Sequence, residues 1–218
     1  MKRAFRYLPL LAVPLLCTQF ARAQAGVDIN IGFGSAHDSA NSGGLDSATG
    51  SACTPSSGGT CQSLSALSGF FLGIGGDVMF RKQFGVGADV DFRPARSNYG
   101  PFLARQTFFD VDGIYEPIST KRASVRLLGG VGFARTGLAF NESSCVGNVA
   151  CSSQIVPVAT ANHFDVHFGA GVQIYVTEHI FVRPEFDFHY APGLDNVYGS
   201  NAVPAGMVWV GYNLGHNQ

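Results

Sequence analysis

The sequence predicts an all-β fold, an eight-stranded antiparallel up-and-down transmembrane β-barrel. Eight segments alternate apolar and polar residues with a period of two, which is the pattern of strands whose two faces meet different environments. Short and long connections alternate between the segments, so the short turns share one rim and the long loops share the other. Aromatic residues end the apolar face, whereas the opposite face is rich in Gly and Asp. This combination indicates lipid outside and a narrow polar lumen inside.

The first four alternating segments are 27–34, 68–80, 84–93 and 105–115. In 84–93, even-numbered positions are Phe, Val or Ala and odd-numbered positions are Gly, Asp or Arg. Successive side chains of a strand point to opposite faces. This segment therefore has one apolar face and one face of small and ionised groups.

The last four alternating segments are 123–135, 163–176, 180–190 and 206–214. The alternation is clearest in 163–176, where apolar residues such as Phe164 and Val166 oppose polar ones such as Asp165 and His167. A single bulge in 68–80 or in 123–135 would turn part of that strand to the other face. The register of those two strands is therefore the least constrained by pattern.

The connections between these segments alternate in length. Long surface loops follow the odd-numbered strands, at about 38–65, 94–104, 138–161 and 191–203. Short turns follow the even-numbered strands, at about 81–83, 117–121 and 177–179. The loop 38–65 is a low-complexity stretch of Ser, Gly, Ala, Thr and Asp. An even strand count with one short rim and one long rim is typical of outer-membrane barrels.

Residues 1–23 have the features of a secretory signal peptide. A basic start (Lys2, Arg3) precedes the short apolar run 8–16, and residues 21–23 form a small-x-small cleavage site. Cleavage there removes four of the 14 basic residues and none of the 15 acidic ones, leaving a net charge of −5. An acidic mature chain lacks the basic surface that nucleic acid requires. We therefore expect an exported domain over 24–218 and no nucleic-acid partner.

Four cysteines remain after residues 1–23, in two close pairs: Cys53 with Cys61, and Cys145 with Cys151. An even number of cysteines in an exported chain predicts disulfides. Four cysteines allow three connectivities, and loop closure favours the near partners. Neither pair has the spacing of a zinc site.

Which face meets solvent separates two kinds of barrel. A soluble eight-stranded barrel such as a lipocalin turns its apolar face inward around a ligand, whereas a membrane barrel turns it outward. Here the polar face lacks lysine, and the mature chain keeps only Lys82 and Lys121, both at short turns. Aromatic residues cluster at the ends of the apolar runs, as in interfacial belts: Phe80, Phe84, Tyr115, Phe164, Phe188, Tyr190 and Tyr212. We therefore predict the membrane arrangement.

These patterns resemble the small eight-stranded outer-membrane barrels of the OmpA/OmpX type, over the whole mature chain. The last segment, from Met207 to Leu214, resembles the closing strand that the barrel-assembly machinery reads, although Leu214 stands where those strands end in an aromatic residue. The resemblance implies the outer membrane of a Gram-negative-type bacterium. It also implies outer-membrane lipid, lipopolysaccharide and, during biogenesis, the assembly machinery as partners.

The predicted lumen face carries the most distinctive ionisable residues of the chain. They are Asp77, Asp89, Asp91, Arg93, Asp110, Asp112, Arg126, Asp165, His167, Arg183, Glu185, Asp187 and His189. Eight strands leave an interior just wide enough for side chains, and buried carboxylates need partners. We therefore expect arginines to bridge carboxylates across a filled lumen. The alternative is a gated, cation-preferring pore in which an exchange of salt bridges opens a water path.

The leading functional hypothesis is a non-enzymatic envelope or surface-adhesion role, with a surface ligand bound through loops 38–65 and 138–161. A lipid-modifying enzyme is a further alternative. Barrels that deacylate lipid A use a histidine and, two residues later on the same face, a serine nucleophile. Here Tyr190 and Ala191 follow His189, so that nucleophile is missing. No ligand spacing indicates a metal site, and no cofactor is expected.

Overall fold

The computed structural model describes residues 26–37, 67–99, 102–146, 150–198 and 200–215. The predicted signal peptide, Cys53, Cys61 and the loop 38–65 lie outside these residues. In the part described, no helix is long and apolar enough to cross a membrane.

The described chain consists almost entirely of strands. In order they are β1 (Gly26–Ala36), β2 (Gly69–Met79), β3 (Phe84–Phe92), β4 (Ser97–Tyr99), β5 (Phe102–Ser119), β6 (Ala123–Val146), β7 (Ala150–Tyr175), β8 (Ile180–Tyr190) and β9 (Ala202–Asn213), with one short helix, α1 (Asp195–Tyr198), before β9. All pairings are antiparallel. Eight strands close a ring in the order β1-β2-β3-β5-β6-β7-β8-β9, because β3 pairs with β5 and β9 pairs with β1. The short β4 pairs only with the start of β5.

The two faces of the wall are as the alternation predicts in all eight ring strands. On β8, for example, Arg183, Glu185 and Asp187 point inward and are buried, whereas Phe186 is exposed. The two strands with the least constrained register, β2 and β6, also keep their predicted faces through the barrel wall. A ring of this kind has no free edge at the level of the wall, so all backbone groups there can pair between strands.

Two register shifts interrupt the ladders, and the extra residues lie on β5 and on β7 rather than on β2 or β6. One falls between Tyr115 and Ile118 in the β5–β6 pair. Pro117 lies inside that shift, and a proline has no N–H to donate to a ladder. The other falls between Leu138 and Ala139 in the β6–β7 pair, opposite Pro157.

The predicted loop 138–161 contains regular structure, because β6 and β7 continue through it as a paired hairpin. Its backbone pairs from Leu138 with Ala159 to Val146 with Ala150, joined by residues 147–149. Period-two alternation is the signal for a strand between two different environments. A hairpin beyond the wall has no such contrast, so its residues lack the pattern.

The other long connections also contain structure that the sequence pattern did not show. Residues 97–99 form β4 inside the predicted loop 94–104, and α1 lies inside the predicted loop 191–203. Both lie at the rim that carries the long loops, which we call the long-loop rim. The opposite rim, which carries the short turns and both ends of the barrel domain, is the short-turn rim.

An apolar layer fills the lumen towards the long-loop rim. Its largest side chains are Phe71, Phe108 and Trp209, and residues from the adjoining connections, Leu194 and Tyr198, pack on it. Two glycines make room for the indole, because a Cβ at Gly32 would lie 2.7 Å from the Trp209 ring and one at Gly73 would also overlap that ring. The aromatic side chains and the glycines opposite them therefore form one packed unit.

Candidate functional site in the barrel lumen

Beneath the apolar layer, the lumen holds two groups of charged side chains. The Arg126 cluster consists of Asp28, Asp77, Glu116 and Arg126 and lies near the short-turn rim. The imidazole cluster consists of Asp110, Asp112, Asp165, His167, Asp187 and His189. All of these residues are buried, so the lumen is a charged core between the apolar layer and the short turns.

Arg126 is the centre of the first cluster and is completely buried. Its Nη1 and Nη2 donate to the two oxygens of Asp77 at 3.0 and 2.6 Å, and its Nε donates to Glu116 Oε1 at 2.8 Å. Asp28 Oδ2 lies 3.6 Å from Nη2. A planar guanidinium matches carboxylates in this forked geometry. The Arg126 side chain therefore links β6 to β1, β2 and β5.

Polar side chains from the last strands complete the surroundings of Asp28. Asn213 donates to its Oδ1 at 2.5 Å, and the Gln173 amide lies 3.4 Å from its Oδ2. The Gln173 amide also donates to the Tyr175 hydroxyl at 2.9 Å. These contacts tie β1 to β7 and β9, and they help to close the ring.

Arg183 lies between the two clusters. Its Nε is 2.9 Å from Glu185 Oε2 and its Nη1 is 3.6 Å from Asp77 Oδ2. Its guanidinium carbon lies 5.6 Å from the centre of the Trp209 ring, within the range of a cation–π contact. Arg183 therefore connects the charged core to the apolar layer.

His167 bridges two aspartates of the imidazole cluster. Its Nδ1 is 3.0 Å from Asp112 Oδ1, and its Nε2 is 3.3 Å from Asp187 Oδ1. A carboxylate oxygen therefore lies opposite each ring nitrogen, which suits a ring that donates from both.

His189 lies in a stack of three rings. Its ring centre is 4.2 Å from that of Phe108 and 4.6 Å from that of His167, with the planes within 21° and 9° of parallel. Its Nδ1 is 2.8 Å from Asp165 Oδ2 and 3.7 Å from Asp110 Oδ2. The flanking rings fix the direction in which this nitrogen points.

Two glycines of β6 bring these groups together across three strands. Gly132 is the register partner of both Asp110 on β5 and Asp165 on β7. A Cβ at Gly132 would overlap the Asp110 carboxylate, and one at Gly130 would overlap Asp112. The two aspartates of β5 therefore lean over β6 towards β7, which a larger residue on β6 would prevent.

The structure places most residues of the predicted lumen network together inside the barrel. Asp89 and Asp91 point inward from β3, where Asp89 is the register partner of Asp110. Arg93 follows β3 at the long-loop rim, with its guanidinium beside Gly69. The predicted network omitted Asp28 and Glu116. Alternation alone could have included both, because Asp28 lies on the polar face of β1 and the inward alternation of β5 continues to Glu116, one residue beyond the predicted segment 105–115.

Cys145 and Cys151 are register partners near the tip of the β6–β7 hairpin. Their side chains lie outside the described part of the structure, as do Cys53 and Cys61 entirely. The backbone register is compatible with the local pairing, and the disulfides stay a prediction.

The exposed wall has the features of a surface in contact with lipid. Large apolar side chains such as Ile31, Val111 and Phe168 cover it. Near the short-turn rim, Phe84 stacks on Tyr115 with ring centres 5.2 Å apart. Amphipathic aromatic residues at the ends of an apolar band are typical of the membrane–water interface.

Comparisons with known proteins agree with this architecture. A family model of the outer membrane protein beta-barrel domain matches residues 8–210. Among the curated proteins, none matches the sequence.

Several solved structures share the fold over nearly their whole length. A major outer membrane protein of Thermus thermophilus has a TM-score of 0.56 at 10% identity, covering 87% of this chain and 99% of that one. Neisserial surface protein A has a TM-score of 0.53 at 12% identity, covering 88% and 97%. Ail, the attachment invasion locus protein of Yersinia pestis, in complex with the heparin analogue sucrose octasulfate, has a TM-score of 0.51 at 12% identity, covering 87% and 99%.

Proposed function

Because the chain belongs to the outer membrane protein beta-barrel domain family, we propose that it is a non-enzymatic surface-contact protein. In this proposal a closed barrel anchors a hairpin that binds a partner outside the cell. Localisation in the outer membrane of a Gram-negative-type bacterium follows from the family and from the fold. The observation that carries the surface role is the free-standing end of β6 and β7.

We call residues 140–160 the β6–β7 extension. The ladder between β5 and β6 ends at the pair Leu103 and Ala139, and the ladder between β7 and β8 ends at Val166 and Tyr190. Beyond those pairs the two strands bond only to each other, as far as the structure describes the chain. Both edges of the extension therefore offer unpaired backbone groups, which are able to accept another strand.

The composition of the extension suits contact with a protein. Glu142 is the only charged side chain in residues 140–160. Phe140, Ile155 and Val158 are exposed there, above the level at which the wall ends. Interfaces between proteins are depleted of charge and enriched in apolar side chains at their centre. We infer a protein partner with an apolar or extended surface.

The same composition argues against a sulfated polysaccharide as the partner of this extension. Binding of a polyanion requires a cluster of Arg and Lys, and the extension has none. Although Ail was solved with a heparin analogue, we expect the extension to bind no heparin.

The filled lumen supports an anchor rather than a pore. Trp209, Arg126 and the stacked rings of His167 and His189 are all buried inside it. Arg126, Arg183 and His167 each pair with lumen carboxylates, and removing one partner would be costly. A pore would require these contacts to break together.

The lumen also supports a non-enzymatic role over lipid modification. His189 faces Asp165 inside the barrel and is 2% exposed, so its ring is shielded from an acyl chain at the outer wall. The test of that alternative is the mass spectrum of lipid A from cells with and without the protein. An altered lipid A profile on expression would revive the enzyme.

Export and assembly complete the proposal. We propose that residues 1–23 are removed on export, that β9 is read by the barrel-assembly machinery, and that lipopolysaccharide surrounds the outer part of the wall. We also propose the local disulfides Cys53–Cys61 and Cys145–Cys151. Alkylation before and after reduction, followed by mass spectrometry, tests the pairing.

The experiment on surface contact compares cells that display the wild type with two deletion variants. In one, a short turn replaces residues 140–160, and in the other a short linker replaces 38–65. A gel-mobility change on boiling verifies that each variant folds. Adhesion to immobilised proteins and resistance of the envelope to detergent are measured. We expect the 140–160 deletion to abolish adhesion, whereas adhesion and resistance that stay at wild-type level in both deletions would refute the proposal.

A further inference from the structure

The two halves of the imidazole cluster differ in how fully they are paired. Asp112 and Asp187 each face a nitrogen of His167. By contrast, neither oxygen of Asp110 has a hydrogen-bond partner, and Oδ1 of Asp165 has none either. These two side chains are 2% and 0% exposed. A buried carboxylate without a compensating partner carries a large desolvation cost.

The side chains of Asp110, Asp165 and His189 converge on one small region of the lumen. Asp110, Asp165 and His189 each offer a ligand atom, and the three atoms lie within 4.8 Å of one another. The Gly132 backbone separates the two aspartates in the sheet, and the absence of a side chain there lets Asp110 lean towards Asp165. The ring stack with Phe108 and His167 aims the His189 nitrogen at the same space.

We propose that Asp110, Asp165 and His189 bind one divalent transition-metal ion inside the barrel. Two carboxylate oxygens and one imidazole nitrogen form a donor set that zinc and similar ions accept. Calcium and magnesium prefer sites made only of oxygen, so the histidine favours a transition metal. The ion would supply the positive charge that the two carboxylates lack.

No sequence pattern indicates this site, because its three ligands come from three strands. Asp110 lies on β5, Asp165 on β7 and His189 on β8, so no short spacing marks them. The site is independent of the role proposed for the β6–β7 extension. It would join three strands beneath the apolar layer and stabilise the folded barrel increasingly as the free ion concentration rises.

In the competing arrangement no ion is bound. His189 Nδ1 then donates a hydrogen bond to Asp165 Oδ2 at 2.8 Å, and the Asp110 carboxylate has no hydrogen-bond partner. The two arrangements predict different metal contents. Because the ligands are buried, the ion would enter during folding, and exchange from the folded barrel would be slow.

The experiment uses the full-length protein expressed without an affinity tag and purified in detergent from outer-membrane fractions. One sample is unfolded in urea with a chelator and refolded with Zn²⁺, a second with Mn²⁺, and a third without metal. Metal content is measured by mass spectrometry after gel filtration, and the thermal midpoint is measured for each sample. We expect about one ion per chain and a higher midpoint with metal than without.

Variants locate the ion. Asp110→Asn and Asp165→Asn each remove one ligand and are expected to lower the affinity by about tenfold or more. The matched control is Asp187→Asn, a buried lumen aspartate that contacts His167 but not His189, and it is expected to retain the ion. Measurement on the wild type keeps the test decisive if a variant fails to fold. Metal below about one-tenth of an equivalent in the wild type, or equal metal in all the variants, would overturn the site.

Discussion

Arg126 and Asp77 form a forked ion pair inside the lumen near the short-turn rim, with both carboxylate oxygens accepting from the guanidinium at 3.0 and 2.6 Å. The pair joins β6 to β2, which are not neighbours in the ring. It therefore crosses the lumen instead of running along the wall. Side-chain bridges of this kind turn the interior of a small barrel into a core.

Replacement of Arg126 by Met is expected to lower the free energy of unfolding by about 3–5 kcal/mol, because it leaves buried carboxylates without their cation. Unfolding by urea in detergent micelles can be followed by fluorescence, since Trp209 is the only tryptophan. Arg122→Met, at an exposed short turn, is the control and should leave the midpoint nearly unchanged. Equal midpoints for the two variants would show that the forked pair contributes no stability.

Gly32→Ala is expected to destabilise the barrel by about 1–3 kcal/mol, the usual cost of overpacking a core. The added Cβ would lie 2.7 Å from the Trp209 ring. Gly206→Ala is the matched control, because this glycine is on the outer face of β9 and an added Cβ meets nothing within 4 Å. The same fluorescence measurement checks both, and a Gly32→Ala variant as stable as Gly206→Ala would contradict the packing described.

The eight ring strands and their two faces were predictable from sequence, because the wall separates lipid from a lumen lined mainly by polar side chains and glycine. That contrast gives each strand a period of two, as Phe164 to Ile174 on β7 shows. The β6–β7 extension was not predictable, because it extends past the wall and its two faces do not meet lipid on one side and the lumen on the other. Its pairing could be recognised only from the register that continues out of the wall.

The lumen network was predictable as a face but not as a set of contacts. Alternation placed Arg126, Asp77 and His189 inward, yet which of them meet depends on the offset between strands. Glu116 was missed because the predicted segment ended at Tyr115, although the inward alternation of β5 continues to Glu116. The grouping of Asp110, Asp165 and His189 depends on Gly132, which is the register partner of both aspartates. The spacing of these residues along the chain does not indicate that relation.

Phe168→Arg and Ile155→Arg test which apolar residues face lipid. The two side chains are exposed to nearly the same extent, 56% and 54%. Phe168 lies in the wall, where a charge on the lipid face costs about 2–4 kcal/mol near the middle of the membrane. Ile155 lies on the β6–β7 extension, where a charge is in water and should cost little. Refolding into lipid vesicles is measured as the folded fraction at increasing urea concentration. Phe168→Arg is expected to lose its folded fraction at a lower urea concentration than the wild type, whereas Ile155→Arg is expected to match the wild type. Equal behaviour of the two variants would contradict the assignment of the wall to lipid.

Removal of residues 140–160 is expected to leave the stability of the barrel unchanged, because the described backbone of the extension pairs only within itself. A short turn joins residues 139 and 161 in the variant. Its urea midpoint in detergent is measured beside the wild type and beside Gly32→Ala. A loss of stability as large as that of Gly32→Ala would indicate that the extension supports the barrel rather than standing free on it.

We propose that closure of the lumen by its own side chains makes the barrel an anchor rather than a pore. The decisive experiment is single-channel recording in planar lipid bilayers, with a large trimeric porin in the same bilayers as the positive control. The filled lumen predicts that the wild-type protein and the variant without residues 140–160 both insert without discrete conductance steps. Reproducible ohmic steps from the wild-type protein, altered by Arg183→Ala, would contradict a closed lumen.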